Sequence, residues 1–374
     1  MSSILRTLSR QQVTREAWAW AQNQVASFLG RPGRLQEVRL RLTTRCNQRC
    51  RHCNMYLVHP YQELPKEVAC GVVEQAARLG AYRLGLCGGE PLLYPHLLPL
   101  IELAVRCHMV VNINTNGTLL TREMAEALAA RRVSRVSLAL DGADAAAQDA
   151  MRGYEGAWQA TKEAAYWAKA VGLTLGIVIT LGPDNVQQYQ CLWEAAQGLK
   201  ADYLNVFFAR PNIGMLAEER KATAPWNIED RSRYATAIQE AVDFFLSAKK
   251  RTGYPATSSR LLRLSAAVIR GESIAYPPCS QGRGAVLVTA DGVVRCCAKV
   301  GMPPLGSLHE RTLLEIWPSQ EAQAVRRLVS RGVCRPQCTQ FASCFGEEDL
   351  RNSLRTAGPQ YVEMLVSAWR RSRR

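Results

Sequence analysis

From residue 37 onward the chain repeats one unit: a short apolar run, a polar or glycine-containing turn, and an alanine-rich helical stretch. Six strand-like runs lie at 37–43, 82–87, 110–115, 133–140, 173–180 and 203–209. Helical periodicity falls between them, at 65–79, 97–107, 121–130, 158–171 and 186–198. Strands that alternate with helices form a parallel sheet with right-handed crossovers. The pattern therefore predicts an α/β fold built on a partial six-stranded (βα)6 barrel.

The remaining parts of the chain depart from this repeat. Residues 1–36 are predicted to form a helical segment, the barrel to occupy 37–210, and a helical bridge to follow at 211–276. From residue 277 the composition changes to glycine, proline and cysteine, with six of the 13 cysteines between Cys279 and Cys344. A segment so poor in apolar residues needs a metal to hold it together. We therefore predict a small cysteine-rich domain at 277–350, followed by a C-terminal helix and basic tail at 351–374.

The overall composition limits the location and the partners of the protein. No stretch approaches the roughly 18 apolar residues of a membrane span, and the first ten residues lack the apolar core of a signal peptide. A cytoplasmic protein is expected, in which many thiols indicate metal or cluster ligation rather than disulfides. The formal net charge is +15, but the basic residues are scattered. Nucleic acid is therefore an unlikely partner, and no membrane association is predicted.

Three cysteines, Cys46, Cys50 and Cys53, form a C-x3-C-x2-C triplet just after the first predicted strand. Three thiolates can hold three irons of a cubane cluster and leave the fourth iron open to another ligand. An open coordination position is typical of a catalytic metal site. The alternative, half of a zinc ribbon, would require paired C-x2-C units, which the spacing does not supply.

A second motif, Gly88-Gly89-Glu90-Pro91, follows the second predicted strand. Two glycines allow the backbone to approach a ligand closely, and the carboxyl edge of a parallel sheet is where α/β proteins bind ligands. The triplet after strand one and this motif after strand two resemble the radical S-adenosylmethionine enzymes. That resemblance implies a four-iron four-sulfur cluster whose open iron is chelated by the methionine moiety, and reductive cleavage to methionine and a 5′-deoxyadenosyl radical.

The resemblance also implies cofactor-binding residues. Gly88, Gly89 and Glu90 match the segment that contacts the methionine amino group, and Asn116 lies in the motif at the end of strand three. Ser137 on strand four would face the ribose. Arg152, in a predicted turn at 149–153, would face the carboxylate. No residue is identified as catalytic.

The distal cysteines resemble the SPASM or shorter Twitch extension of the same superfamily, which carries auxiliary four-iron clusters. The matching residues are Cys279, Cys297, Cys334, Cys338 and Cys344. The usual C-x2-C is here Cys334-x3-Cys338, and Glu348 stands where a further cysteine is usual. The thiolates therefore complete one auxiliary cluster but not two, although four thiolates would suit zinc equally.

Four other cysteines lie in apolar sequence and are predicted to be small buried side chains: Cys70, Cys87, Cys107 and Cys191.

The resemblance implies hydrogen abstraction from a substrate, with net oxidation because an auxiliary cluster can accept the remaining electron. Oxidative modification of a peptide side chain is the favoured outcome, and oxidation or epimerisation of a sugar or aminocyclitol is the alternative. The expected partners are S-adenosylmethionine, that peptide or small molecule, and an external electron donor of the flavodoxin or ferredoxin type. A non-catalytic electron-transfer or scaffold protein is the remaining alternative, against which the Gly-Gly-Glu-Pro motif argues.

Overall fold

The computed structural model describes residues 34–208, 231–254, 256–257, 259–270, 272, 284–296 and 302–331. The strands are β1 (Glu37–Arg41), β2 (Arg83–Cys87), β3 (Val110–Thr115), β4 (Arg135–Ala139), β5 (Thr174–Leu181), β6 (Tyr203–Phe208), β7 (Ala285–Val288), β8 (Val293–Arg295) and β9 (Gly306–Ser307). The helices within the barrel region are α1 (Lys66–Arg78), α2 (Leu97–Arg106), α3 (Arg122–Ala130), α4 (Ala145–Arg152), α5 (Ala157–Ala170) and α6 (Tyr189–Gly198). The later helices are α7 (Arg231–Thr252), α8 (Ser259–Ile269), α9 (Leu313–Ile316) and α10 (Gln320–Arg331).

The described strands form one sheet in the order β6-β5-β4-β3-β2-β1-β7-β8-β9. Strands β1 to β6 are parallel and adjacent in chain order, as the repeated unit predicts. This is the partial six-stranded barrel with its helices outside, so the predicted fold class is confirmed. The carboxyl ends of all six strands consequently meet at one edge of the sheet.

The two faces of the sheet have different chemistry because successive strand residues point to opposite sides. One face carries apolar residues such as Leu40, Leu86 and Ile177, which are completely buried under helices including α1, α2 and α5. The opposite, inner face carries Arg39, Asn112 and other polar side chains at intermediate exposure. The helices thus stabilise the barrel from outside and leave a polar interior.

A hairpin after the helical bridge extends the barrel sheet, which the sequence pattern did not predict. β7 pairs in parallel with β1, with Arg39 opposite Leu287, and β8 and β9 continue the sheet antiparallel. The strands are only two to four residues long, too short for a periodicity signal. Three predicted domain boundaries, at 210, 276 and 350, lie outside the described residues and stay predictions.

The predicted turn at 149–153 is wrong, since these residues end helix α4. Asp144 caps the helix by accepting a hydrogen bond from the Ala147 amide at 2.8 Å, and Gly153 ends it in the left-handed conformation. The helix is eight residues long, and its alanine-rich start has no apolar stripe long enough to predict it.

Among the described residues, no helix is both long and apolar enough to cross a bilayer.

Candidate active site

The cysteine triplet lies in the loop that follows β1, at the carboxyl edge of the sheet. Leu42 donates its amide to the Cys87 carbonyl at 3.0 Å, so the loop leaves the sheet beside the end of β2. Farther along, the amides of Arg49 and Arg51 donate to the carbonyls of Arg152 and Met151 at 3.1 and 3.0 Å. The loop is therefore fixed at one end by the sheet and at the other by the C-terminus of α4.

Burial disfavours the charged form of these thiols. It raises the pKa of Cys50 to about 12; the charge of Arg152 opposes the rise, and the nearby thiols of Cys53 and Cys46 add to it. Burial likewise raises the pKa of Cys46. Thiolates crowded in such a place need a strongly cationic partner, as iron in a cluster provides.

The sulfur atoms also have amide hydrogen-bond donors beside them. The Met55 amide lies 3.5 Å from Cys53 Sγ, and Asn116 Nδ2 lies 4.0 Å from Cys46 Sγ. In the described part of the chain, no three cysteine, histidine or carboxylate side chains converge on one point as ligands of a single ion would. The triplet supplies three thiolates in C-x3-C-x2-C spacing, as a cluster with an open iron requires, and not the paired C-x2-C units of a zinc ribbon.

Gly88 and Gly89 are required by close backbone contact with the cysteine loop. Gly88 has φ +137°, and a Cβ there would lie 2.5 Å from the Thr43 carbonyl oxygen. A Cβ on Gly89 would lie 2.1 Å from the Arg45 carbonyl oxygen. The Gly89 amide donates to the Thr43 carbonyl at 2.7 Å. The two glycines predict a close approach of the backbone to a ligand, whereas the structure shows a close approach to the loop that carries the cysteines.

Glu90 is completely buried and its carboxylate is bound within the protein. Oε1 accepts hydrogen bonds from the Leu92 amide at 2.9 Å and the Thr115 hydroxyl at 2.6 Å. Oε2 accepts one from the Asn116 amide at 2.8 Å. Burial raises the pKa of Glu90, and these hydrogen bonds oppose the rise. The side chain thus joins the end of β2 to the end of β3.

Asn116 links that junction to the cysteines. Its side-chain amide donates to Asn47 Oδ1 at 2.7 Å and accepts from the Thr118 hydroxyl at 2.7 Å. Since Asn116 also lies beside Cys46 Sγ, three of the predicted site residues, Glu90, Asn116 and Cys46, are in one contiguous group.

Arg152 lies on the opposite side of the cysteine loop. Its Nη1 donates to Asp141 Oδ2 at 2.7 Å, and its Nε donates to Gln48 Oε1 at 2.8 Å. Burial lowers the pKa of Arg152, but the charges of Cys50 and Asp141 outweigh burial and raise it. The structure therefore brings Arg152 to the cysteines, with part of its donor capacity already used by Asp141.

Ser137 lies lower in the barrel, on the inner face of β4. Its Oγ is 2.9 Å from the hydroxyl of Tyr203. Gly176, between them on β5, has no side chain, and a Cβ there would lie 2.3 Å from the Tyr203 hydroxyl. The serine hydroxyl therefore has a protein partner.

Two residues of this site, Gln48 and Asp141, were not predicted from the sequence. Both are 1% exposed. Asp141 accepts from the Thr180 amide at 2.8 Å through Oδ1, in addition to Arg152, and so joins β4, β5 and α4. Its position directly after β4 was a usable signal, since polar residues at strand ends often line sites. Gln48, inside the triplet, gave no such signal.

The other cysteines differ in their surroundings. Cys70 and Cys107 pack against the apolar core but are only partly buried, so the prediction of buried side chains holds for them only in part. The prediction is wrong for Cys191, which is exposed, and for Cys87, which lies on the polar inner face near Arg41 and Arg39. The five predicted auxiliary ligands lie outside the described residues: Cys279, Cys297, Cys334, Cys338 and Cys344.

Comparison with known proteins agrees with this geometry. The model of the radical SAM superfamily matches residues 40–190, and the SPASM model, an iron-sulfur cluster-binding domain, matches residues 279–340. An AdoMet-dependent heme synthase from Methanosarcina barkeri is 28% identical over 77% of this chain and 82% of its own. A PqqA peptide cyclase from Streptomyces rochei is 32% identical over 74% of each chain. The crystal structure of Streptococcus suis SuiB bound to S-adenosylmethionine has the same fold, with TM-score 0.63, 15% identity, and coverage of 79% of this chain and 68% of that one.

The matched regions contain the triplet, the glycine motif and four of the five distal cysteines. The predicted cofactors, four-iron four-sulfur clusters and S-adenosylmethionine, are those of the matched family. This chain belongs to the radical S-adenosylmethionine superfamily, among the members that carry a C-terminal SPASM domain.

Proposed function

We propose that this enzyme oxidatively modifies a side chain of a peptide. The observation that carries the proposal is the 32% identity to a PqqA peptide cyclase over about three quarters of both chains. Similarity over about three quarters of both chains supports a shared type of substrate as well as a shared fold.

Within this proposal, Cys46, Cys50 and Cys53 hold the cluster at the carboxyl edge of the sheet. With S-adenosylmethionine bound, a cluster held by these three thiolates would supply the electron for reductive cleavage of the sulfonium, and so the radical chemistry that removes a hydrogen atom from the substrate. The protein contributes a fixed loop: Gly88 and Gly89 let it lie against β2, and the amide donors of Met55 and Asn116 face its sulfurs.

The roles of the cofactor-binding residues follow from their contacts. Glu90 is enclosed and accepts three hydrogen bonds from protein groups, so we assign it to holding Asn116 and the strand ends in place rather than to a direct bond with the methionine amino group. Arg152 keeps its role beside the methionine carboxylate, oriented by Asp141 and Gln48. For Ser137, a ribose contact would use the second hydrogen-bonding capacity of its hydroxyl, beside Tyr203.

We assign one auxiliary cluster to Cys279, Cys297 and two of Cys334, Cys338 and Cys344, on the sequence spacing. This cluster would accept the second electron of the oxidation, and an external donor of the flavodoxin or ferredoxin type would reduce the first cluster. We propose a cytoplasmic location for an enzyme with these clusters and this electron donor, because reducing conditions keep thiols available to iron.

A small-molecule substrate is the second candidate. It is favoured by the 28% identity to an AdoMet-dependent heme synthase over 77% of this chain. The radical-generating residues proposed above would serve either substrate, so only the substrate itself distinguishes the two.

One experiment decides between them. The anaerobically reconstituted enzyme, with dithionite and S-adenosylmethionine, is incubated separately with the peptide fraction and with the small-molecule fraction of host lysate. We expect faster 5′-deoxyadenosine release with the peptide fraction, and a peptide that has lost two hydrogen masses. The Cys50→Ala variant is the control and should show neither. Stimulation by the small-molecule fraction alone would contradict the peptide proposal.

A further inference from the structure

The inner face of the barrel carries a row of basic residues below the cysteine loop. Strand register places Arg39 on β1 level with Gly85, Asn112 and Arg135 on β2, β3 and β4. Because paired residues of adjacent strands point to the same face, these side chains share the interior of the barrel. The row lies three residues before the loop begins at Leu42, a rise of about 10 Å.

Two of these arginines lie over the neighbouring strands β2 and β3. Arg39 lies across Gly85, where a Cβ would be 3.2 Å from Arg39 Cγ. From the other side, Arg135 Nε donates to Asn112 Oδ1 at 2.7 Å, and its guanidinium lies 5.8 Å from the Tyr203 ring centre. Because Gly85 has no side chain, Arg39 can occupy the space over β2, between β1 and β3.

The basic row continues below and beside these two residues. Arg83 lies one level closer to the amino ends of the strands, with Nη2 3.6 Å from Glu37 Oε2. On the other side of β1, Leu287 of β7 pairs with Arg39, and Arg295 of β8 pairs with Leu287. Arg295 and Arg39 therefore lie at the same level of the sheet. The Nε of Arg295 is buried and has no hydrogen-bond partner among the described residues.

One carboxylate faces this group from the described strands. Glu37 is paired with both Arg39 and Arg83. Burial opposes ionisation of Glu37, but the charges of Arg39, Arg83 and Arg135 outweigh it and lower the pKa of the carboxyl to about 2. Glu37 is thus ionised at neutral pH and still leaves the group with a surplus of positive charge.

A surplus of this kind is costly unless an anion compensates it. Guanidinium groups in a partly buried site are stable when they are paired, and their planar donors match a carboxylate in a bidentate way. The site is also open to a ligand, since the side chains of Arg39 and Arg83 are 33% and 27% exposed. Glu37 itself shows that a carboxylate fits between these two groups.

We propose that Arg39, Arg83 and Arg135 form a binding site for a carboxylate of the substrate. The proposal deepens the proposed function and rests on it, because it assigns an acidic substrate to the same barrel. The carboxylate lies at the level of Arg39, and the reacting carbon lies toward the cysteine loop. An acidic side chain of a peptide and a carboxylate of a small molecule would both meet this requirement.

The test is binding of small probes to the reconstituted enzyme with S-adenosylmethionine, followed by ligand-observed NMR titration. The probes are acetyl-Gly-Glu-Gly-amide, its glutamine counterpart, glutarate and inorganic phosphate. We expect the glutamate peptide or glutarate to bind at least about tenfold more tightly than the glutamine peptide, as charge-assisted pairing predicts. The glutamate peptide and glutarate distinguish the peptide source from the small-molecule source.

Variants identify the residues responsible. Arg39→Gln combined with Arg135→Gln should abolish the preference for glutamate, whereas Arg39→Lys should retain part of it. Arg122→Gln, an exposed arginine on α3, should bind as the parent does. Glu37→Gln should bind the acidic probes more tightly because the competing carboxylate is gone, a gain that misfolding would not produce.

The outcomes separate this proposal from the proposed function. The carboxylate site would be overturned by equal binding of the glutamate and glutamine peptides or by tighter binding of phosphate than of the acidic probes. A preference for glutamate that is unchanged in the double variant would overturn it as well. Arginine-dependent binding in a parent protein that releases no 5′-deoxyadenosine would leave the site intact and overturn the radical function instead.

Discussion

Single side chains in this enzyme have roles that their residue types alone do not reveal. Glu90 occupies a motif position associated with ligand contact, yet its carboxylate is completely buried and accepts three hydrogen bonds from protein groups. Glu37 and Arg39 are ordinary charged residues in the sequence. In the structure they face the interior of the barrel, where the arginines outnumber the one carboxylate of the described strands. The difference is the environment, which decides whether a charged group supports structure or remains available to a ligand.

The cysteines give the most direct test at this scale. Cys46→Ala, Cys50→Ala and Cys53→Ala should each abolish 5′-deoxyadenosine release from the anaerobically reconstituted enzyme, because each removes a thiolate that no neighbour replaces. Cys191→Ala is the matched control, since that thiol is exposed on α6, and it should retain parent activity. Undiminished release from any of the three triplet variants would disprove the cluster assignment.

Glu90→Ala should destabilise the fold around the site. Removing the carboxylate leaves buried donors of Leu92, Thr115 and Asn116 unpaired, and we expect a loss of about 2–4 kcal/mol in the free energy of unfolding. Denaturant unfolding measures this, with exposed Glu126 changed to alanine as the control. Because Asn116 loses its anchor, the dissociation constant for S-adenosylmethionine should also rise. An unchanged free energy of unfolding would show that the three hydrogen bonds contribute nothing net.

Glu37 predicts a specific dependence of stability on pH. Its pKa falls from 4.5 to about 2 on folding, chiefly because Arg39 and Arg83 outweigh the effect of burial. A carboxyl group whose pKa is lower in the folded state than in the unfolded state stabilises the fold at pH values above its unfolded pKa. That contribution is lost as the pH falls through the folded pKa. The shift corresponds to about 3 kcal/mol. The difference in the free energy of unfolding between the parent and Glu37→Gln should have its full size at pH 7 and should decrease below pH 4.5. A difference that does not depend on pH would contradict this account.

Elements of the barrel act mainly by holding the cysteine loop against the strand ends. The start of the loop lies on the glycines that follow β2, where Gly89 allows backbone contact that a Cβ would prevent. Its later part is hydrogen bonded to the end of α4, where Gly153 permits another close contact, because a Cβ there would lie 2.5 Å from the Arg49 carbonyl oxygen. Two separate elements thus fix a loop that has no regular structure over most of its length.

Gly89→Ala tests this arrangement. A methyl group there would meet the Arg45 carbonyl oxygen at 2.1 Å, so the loop must move and the cysteines with it. We expect the variant to bind substantially less iron than the parent, as measured by iron analysis after reconstitution. Gly198→Ala at the end of α6 meets nothing within 4 Å and should keep parent iron content, with a gain of roughly 0.5 kcal/mol from the better helix former. Equal iron content in both variants would contradict the structural role of Gly89.

At the scale of the whole molecule, the barrel and the C-terminal region are parts of one sheet. β7 adds to β1 on the side away from β2, so the hairpin that precedes Cys297 is connected directly to the strand that leads into the cysteine loop. Arg295 and Arg39 are brought to one level by the same pairing. This pairing gives the described residues 284–296 a fixed relation to the barrel interior.

The total iron content tests the number of clusters. With one cluster on the triplet and one on the distal cysteines, the protein should bind about eight irons. The triple variant with alanine at Cys46, Cys50 and Cys53 should keep about four, as measured by iron analysis and Mössbauer spectra. About twelve irons in the parent, or zinc in place of iron in the triple variant, would refute the assignment of a single auxiliary cluster.

The sequence alone determined the elements and the chemistry of the centre. Its alternating pattern predicted β1 to β6 and most of the barrel helices, because buried strands and helices each require apolar residues at a characteristic spacing along the chain. The triplet and the Gly-Gly-Glu-Pro motif identified the family, since cluster ligation requires fixed residue types at fixed spacing. Those signals are local, and a local signal can be read without knowing the fold.

Only the tertiary structure decided which distant residues meet. The contacts of Arg152 with Asp141 and Gln48, and of Glu90 with Asn116, join separate elements. The pairing of β7 with β1 joins strands more than 200 residues apart and leaves no periodic signal in such short segments. The basic interior depends on the register of strands that place Arg39, Arg83 and Arg135 on one face. Contacts of this kind come from folding the chain into one curved sheet, and no spacing along the sequence encodes them.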